Sequence, residues 1–395
     1  MSENPDIQSV VRLARKAPAL PEPSGRIVRV KDAGHLVEAI EKAERGTTIL
    51  IAEGRYEIPR DILLTQSDVT IRSESGQRES VVLDGMDNKD KRLQTHPGAP
   101  AMLRIKRSQN ARIAGVTFYN SPYYGIIFYG DSGIRGLSVY DVKFHNIWVR
   151  GLKGTHAARP DDRTEPLHPP EVVEKVKPRF CEMVYCLFVV DHKKTKGMEE
   201  DSYEHDYISG TDMMSLSHWR LADNVFVGIR GKNGYGRGAI FIWHGSEHCI
   251  VERNIIVNCD RGICFGNAYG KDVSVSHGVI RDNILVGGAN RAIECTTTRH
   301  VDVYNNKILA SRFEWPTVSF LMGNHGSRFH HNLVHGDVYT DPTATFDRNY
   351  IGRFPDCLKD PREIFVEPNI GDLALTEKGQ EMFGNWREDP GAPLP

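Results

Sequence analysis

No stretch of this sequence is long and apolar enough to cross a bilayer as a helix. No sign of charge dominates: 50 Lys and Arg stand against 52 Asp and Glu, a formal net charge of −2. That balance leaves no basic stripe for nucleic acid and no acidic tail of the disordered kind. Cysteine is scarce and odd in number. Cys181, Cys186, Cys249, Cys259, Cys264, Cys295 and Cys357 include no C-x-x-C, and several sit in apolar runs such as GICFGN and AIECT. They are expected as small buried hydrophobes, not disulfides or zinc ligands. Residues 1–20 show no apolar h-region and no cleavage site, so a cytoplasmic chain and the mature form of an exported one both stay open.

What the chain does have is repetition, after an opening of a different kind. Residues 1–26 are polar and carry PALPEPSG at 18–25, which reads as an extended lead-in. IVRV (27–30) is a short strand. Asp32 can cap a helix over 33–45, with Leu36, Ala39, Ile40 and Ala43 on one face. Only short strands follow, divided by Gly, Asp and Ser. A solenoid must cover its open end, and this helix is placed to do so.

Six later segments, ADNVFVG, ERNIIVN, RDNILVG, YNNKILA, HHNLVHG and DRNYIGR, align on Asn224, Asn254, Asn283, Asn306, Asn332 and Asn349. Their spacings of 30, 29, 23, 26 and 17 residues fit solenoid coils in which a polar turn residue precedes a strand. Asparagine tolerates left-handed backbone at a turn. Its amide both donates and accepts, so stacked copies can bond into a ladder. The expected architecture is all-β: a single-domain right-handed parallel β-helix over 27–375, with an N-terminal capping helix and an asparagine ladder. Residues 376–395 form a tail, and the stretch after 353 is expected to cover the far end.

A second set runs in step: YGIIFYG, RGLKGTH, YISGTD, GAIFIWH, RGICFGN, RAIECTT and TVSFLMG. Aligned on Ile126, Leu152, Ile208, Ile240, Ile263, Ile293 and Val318, strand alternation points these residues inward. It puts Ile127, Lys153, Ser209, Phe241, Cys264, Glu294 and Ser319 on the outer face. One outward step further stand Tyr129, Thr155, Thr211, Trp243, Gly266, Thr296 and Leu321. Insertions at 155–180 and 191–206 interrupt the coils beside Lys153 and Asp212. In solenoids such insertions emerge on one face, often the binding face.

The segments HNIWVRGLKG (145–154), RFCEMVYCLFVVDHKK (179–194) and GRGAIFIWHGSEHCIVERNIIVNCDRGICFGN (236–267), with LVEAIEKAERGTTILIAEGRYEI before them, resemble the pectin-lyase-like right-handed β-helix superfamily. Within it the chain resembles bacterial proteins of polysaccharide-lyase-like type, over about residues 27–375. The resemblance implies the fold and an acidic polysaccharide or oligosaccharide as substrate. The superfamily also holds hydrolases, esterases, epimerases and non-catalytic proteins. Relatives of alginate-lyase type imply a lysine base, an arginine partner and a calcium ion. No nucleic-acid or membrane partner is expected; monomer and homo-oligomer are both open.

A uronate lyase removes the proton beside a carboxylate and expels the glycosidic oxygen. It needs a cation on the carboxylate, a base at the proton, and an acid or water at the leaving oxygen. Lys153 is the candidate base, with Arg150 beside it to lower its pKa; a solvated surface lysine is the plain alternative. Arg150 and Arg237 are candidates for the carboxylate, which a guanidinium matches with two parallel hydrogen bonds. Arg261 and Arg291 open the next two coils but pair as readily with Asp260 or Glu294. Trp243 either stacks on sugar or lies under an insertion. His156, Asp212 and His244 are expected in one column at the groove edge, with a histidine serving the leaving oxygen. Tyr129, Arg179, Arg261 and Glu294 complete the expected substrate contacts. In the second insertion, Asp191, His192, Asp201, Glu204, His205 and Asp206 offer calcium ligands or a solvated acidic loop. A hydrolase would need two facing carboxylates from Asp206, Asp212, Asp260 and Glu294. The order of expectation is lyase, hydrolase, then a non-catalytic glycan-binding solenoid.

Overall fold

The computed structural model describes residues 6–86, 100–160, 165–191, 204–268, 272–310, 314–352 and 361–384. Short apolar triplets between polar turn residues leave the chain nowhere to bury side chains except by stacking coil on coil. It does this in three parallel sheets. The first runs from Arg26–Val30 to Thr345–Asp347, the second from Ile62–Leu64 to Val338–Thr340, and the third from Gly54–Glu57 to Tyr350–Gly352. Inward residues of the sheets form one continuous core, which includes a stack of Phe118, Phe144, Phe188 and Phe226 with neighbouring rings 4.5–5.5 Å apart. All six described cysteines are buried and free; Cys357 lies outside the described residues.

The asparagine ladder is continuous. Each Oδ1 from Asn254 to Asn349 accepts both the backbone N–H and the side-chain amide of the preceding ladder asparagine, at 2.9–3.1 Å. The left-handed backbone expected of these asparagines belongs instead to the residue before each: Asp223, Arg253, Asp282, Asn305, His331 and Arg348 all have φ near +55°. The ladder amides are reserved for stacking, and the neighbour makes the turn.

The capping helix spans Ala33–Glu41, shorter than 33–45. The Asp32 carboxylate accepts the His35 N–H at 2.8 Å, and Leu36, Val37 and Ile40 join the core at the N-terminal end. The lead-in is not wholly extended. A helix at Ile7–Arg12 seats Val10 on Leu187, Val189, Val225, Val227 and Val257, the outward apolar side of the third sheet. From there the chain runs back along a corner, with Arg15 on Asp223 and the carbonyls of Pro18 and Pro21 accepting from Tyr140 and Arg72. The stretch after 353 also behaves differently from expectation. Ile364, Phe365, Leu373 and Phe383 pack on Val286, Leu309 and Leu333, so residues 361–384 cover the flank of the third sheet rather than the open end. The helix at Ile7–Arg12 and residues 361–384 therefore both pack where apolar side chains of the third sheet face outward, and neither covers the charged outer face of the second sheet.

On that second sheet, Ile126 pairs with Leu152, Ile263 with Ile293 and Ile293 with Val318, as expected. One coil departs. Leu152 pairs with Thr211, not Ile208, and Lys153 pairs with Asp212. The expected alignment was three residues early there, and the correction brings Asp212 into the outward column beside Lys153.

Candidate functional site

The outward column of the second sheet runs Arg104, Ile127, Lys153, Asp212, Phe241, Cys264, Glu294 and Ser319. Its centre is a charged triad. Lys153 Nζ donates to Asp212 Oδ2 at 2.8 Å, and Arg150 Nε donates to the same oxygen at 3.0 Å. Trp243 Nε1 donates to the other oxygen, Oδ1, at 2.9 Å. The Lys153 side chain is 12% exposed and that of Arg150 only 2%. Burial depresses the lysine pKa and Arg150 adds to this, while Asp212 opposes them. Burial alone would push the Asp212 carboxyl up, but Lys153 and Arg150 hold it well below the ordinary carboxylate range.

Arg150 does not face the groove. Its guanidinium also donates to the carbonyls of Val149 and Tyr207, at 2.7 and 2.5 Å, and lies 4.3 Å from the Tyr207 ring centre. It is enclosed, and acts on Lys153 and Asp212 from behind. Arg104 and Tyr129 form a second closed cluster. Arg104 Nε donates to buried Asp61 at 2.6 Å, and its Nη1 donates to the Tyr129 hydroxyl. Tyr129 is thereby buried in a packing role, not presented to a substrate. Arg179 is bound to Glu174 at the corner leading into the first sheet, so it is not brought to Lys153.

The expected column of His156, Asp212 and His244 is corrected by the same register shift. His156 and His244 do meet, edge to face with ring centres 4.6 Å apart. The residue between them in register is Ser215, whose hydroxyl accepts from Ala157 N and donates to the His244 carbonyl. Asp212 stands three residues earlier, under Lys153. Burial, His244 and Arg159 push the His156 pKa down to about 4. Burial also lowers that of His244, with Asp212 opposing. The Trp243 ring is stacked with Phe241 and His244, at centre distances of 5.2 and 3.9 Å.

Farther along the sheet the charges are less closed. Arg237 is half-buried and makes no side-chain hydrogen bond or ion pair with the described residues. Arg261 and Arg291 share Glu294, at 3.7 and 3.2 Å. Arg237, Arg261 and Glu294 line a shallow pocket with Gly238, Phe241, Cys264, Gly266 and Asn267. Asp260 is not available to it. It is buried behind the 231–236 loop, accepts the Gly231 and Gly236 N–H groups at 2.8 and 2.9 Å, and burial raises its pKa to about 6.

Three aromatic residues escaped the sequence reading: Tyr207, Tyr235 and Trp315. All are exposed near the site, Tyr235 by 47% and Trp315 by 39%. They sit in loops, where no strand alternation marks their direction. Among the described residues, no group of three or more His, Cys, Asp or Glu is placed to hold a metal ion. His192 and Asp201 lie outside the described residues. Asp191 is held by Asn146 and His145, Glu204 by Lys232, and Asp206 accepts from the 233–235 backbone.

No protein-family model matches the chain, and no curated protein matches it. Solved structures do. One is an alginate lyase from a Paenibacillus species, 14% identical over 83% of this chain and 99% of that one, with a TM-score of 0.47. A polygalacturonase from Erwinia carotovora is 10% identical over 85% and 98%, TM-score 0.49. A tailspike protein of an E. coli bacteriophage, in complex with a pentasaccharide, is 13% identical over 82% of this chain and 56% of that one, TM-score 0.50. The chain has the pectin-lyase-like right-handed parallel β-helix fold, a scaffold shared by lyases, hydrolases, epimerases and tailspikes. At these identities the likeness reaches the fold and no further.

Proposed function

We propose that the protein is a polysaccharide lyase that cleaves a uronate-containing glycan by β-elimination, with Lys153 as the base. The observation that carries this reading is the Lys153 amine itself: it stands in the outward column of the second sheet with its side chain 12% exposed, burial depresses its pKa, and Asp212 accepts its hydrogen bond. Lys153 takes the proton from the carbon beside the substrate carboxylate. The electron pair forms the new carbon–carbon double bond as the glycosidic carbon–oxygen bond breaks. A water beside His244 returns a proton to the leaving oxygen. Arg237, a nearby guanidinium without a side-chain partner among the described residues, is assigned to the substrate carboxylate as charge develops on it. Arg150 and Asp212 position the lysine.

A hydrolase is less well served. Among the described residues of this face, the carboxylates Asp212 and Glu294 are each paired with two cations. Asp212, held well below the ordinary carboxylate range by Lys153 and Arg150, is unsuited to be the general acid that such chemistry requires. The test is a panel of acidic polysaccharides, with calcium or a chelator, read by the ultraviolet absorbance of an unsaturated uronate. A rise on one glycan that Lys153→Ala abolishes is expected. New reducing ends without absorbance would sink the lyase reading in favour of hydrolysis. Binding without turnover would leave a glycan-binding solenoid.

A further inference from the structure

The arginine-rich end of the face has more cation than the fold uses. Gly238 pairs with Arg261, and the Ile263–Ile293 register sets Arg261 opposite Arg291. Arg237 stands one residue before Gly238. Two of these guanidiniums, Arg261 and Arg291, share one carboxylate, Glu294, and Arg237 on the preceding coil lines the same pocket. Among the described residues Arg237 has no side-chain partner, and Arg261 Nε is buried without one. A structural ion pair would need a single arginine there. Gly238 and Cys264 line the floor between them, where a Cβ on Gly238 would already meet the Cys264 Sγ at 3.0 Å.

An aromatic wall flanks the same place. Trp315 lies over the Arg291 guanidinium, 5.1 Å from ring centre to carbon, and meets Tyr235 edge-on at 6.4 Å. Tyr235 is carried by the 231–236 loop, which is fastened at two points. Asp260 accepts the Gly231 and Gly236 N–H groups, and Asp206 accepts those of Asn233 and Tyr235. A loop held this way presents its tyrosine in a fixed place, so little ordering is lost when a ligand arrives.

Distance separates this cluster from Lys153. Strands in a sheet lie ~4.8 Å apart, so Arg261, three coils on, is roughly 14 Å from the Lys153 strand and Arg291, four coils on, roughly 19 Å. That is too far to serve the sugar at Lys153.

We propose that Arg261 and Arg291, with Tyr235 and Trp315, form a distal subsite that binds the carboxylates of further sugars on the same chain. The ligand class is an unbranched glycan with an acid group on successive sugars, laid along the solenoid axis. Arginines repeating at the strand spacing offer one carboxylate site per coil, and the aromatic pair offers a face to the pyranose ring. This rests on the reading of the face as a glycan groove, but not on the elimination chemistry.

The experiment is calorimetric titration of full-length Lys153→Ala protein, which holds substrate without turnover under the proposed mechanism. The probes are short and long oligouronates, their carboxyl-reduced neutral counterparts, and sulfated oligosaccharides of matching length. Affinity for uronates is expected to rise at least about tenfold from the short oligomers to the long ones. Arg261→Ala, Arg291→Ala and Trp315→Ala should each remove most of that gain and leave short-oligomer binding unchanged. Arg291→Lys, which keeps the charge and preserves packing better, should remove part of it. An affinity independent of length, a gain that survives the arginine variants, or neutral oligomers binding equally well would overturn the subsite. Sulfated oligomers binding tighter than uronates would overturn its assignment to carboxylates. A wild-type protein that binds long uronates but never yields unsaturated product would end the lyase reading and leave this one standing.

Discussion

The asparagine corner and the outer face of the second sheet are built on the same coils, and they treat polar groups in opposite ways. At the corner every amide is used. Asn254 Nδ2, for example, donates to Asn283 Oδ1 and to the carbonyls of Leu221 and Glu252. A neutral group that is its own partner can be stacked at every coil without remainder. On the face, unlike charges are stacked, and they do not cancel: Asp212 is shared by two cations, while among the described residues Arg237 has no ion pair and Arg261 keeps an unpaired buried N–H. Closed polar groups hold a coil together. Groups left open by the fold mark where something else is meant to close them.

The contrast can be broken first at its most tightly coupled point. Asp212→Ala strands Arg150 and Lys153 in a dry site, and is expected to cost about 3–5 kcal/mol, read as a shift in denaturant midpoint. A loss below about 1 kcal/mol would mean that water already screens the triad. The corner should yield less to a single cut. Asn283→Ala orphans the buried Asn254 backbone N–H, but Asn254 Nδ2 keeps two carbonyl acceptors, so about 1–3 kcal/mol is expected. A cost equal to that of Asp212→Ala would erase the distinction between the two regions.

Acid should act on the face before it acts on the corner, which carries no titrating ladder group. The folded His156 pKa, about 4, lies below its ordinary 6.5. The unfolded chain therefore takes up this proton first as the pH falls. Stability linked to His156 is present above about 6.5 and is lost as the pH drops towards 4. His156→Gln should flatten the fall in melting temperature over that window; an unchanged slope would place its cause elsewhere.

The two regions were also unequally legible. The ladder could be read because Asn recurs before an apolar triplet at coil spacing, and the structure assigns all six to one column. Most of the second sheet could be read because its inward residues are Ile, Leu and Val. The coil at Ser209–Met214 was misaligned because its inward residue is Thr211, whose hydroxyl accepts the Phe241 N–H at 3.2 Å. Ile208, also buried, offered the apolar signal instead. That one slip hid the contact between Lys153 and Asp212. Enclosure hid the rest: nothing in the string RGLKG says that Arg150 turns back to the carbonyls of Val149 and Tyr207.

The smallest expected effect is also the most direct test of the triad's electrostatics. Burial and Arg150 lower the Lys153 pKa, and Asp212 raises it. If Lys153 is the base, activity should rise with pH along a limb below the ordinary lysine range, as the amine loses its proton. Asp212→Asn keeps the shape and removes the charge that favours the protonated amine, so the limb should move to lower pH. The maximal rate should fall as well, because the amide positions the amine less firmly. A limb that vanishes in Asp212→Asn would mean that the aspartate, not the lysine, carries the titration. An unmoved limb, with activity retained, would place the base outside this pair.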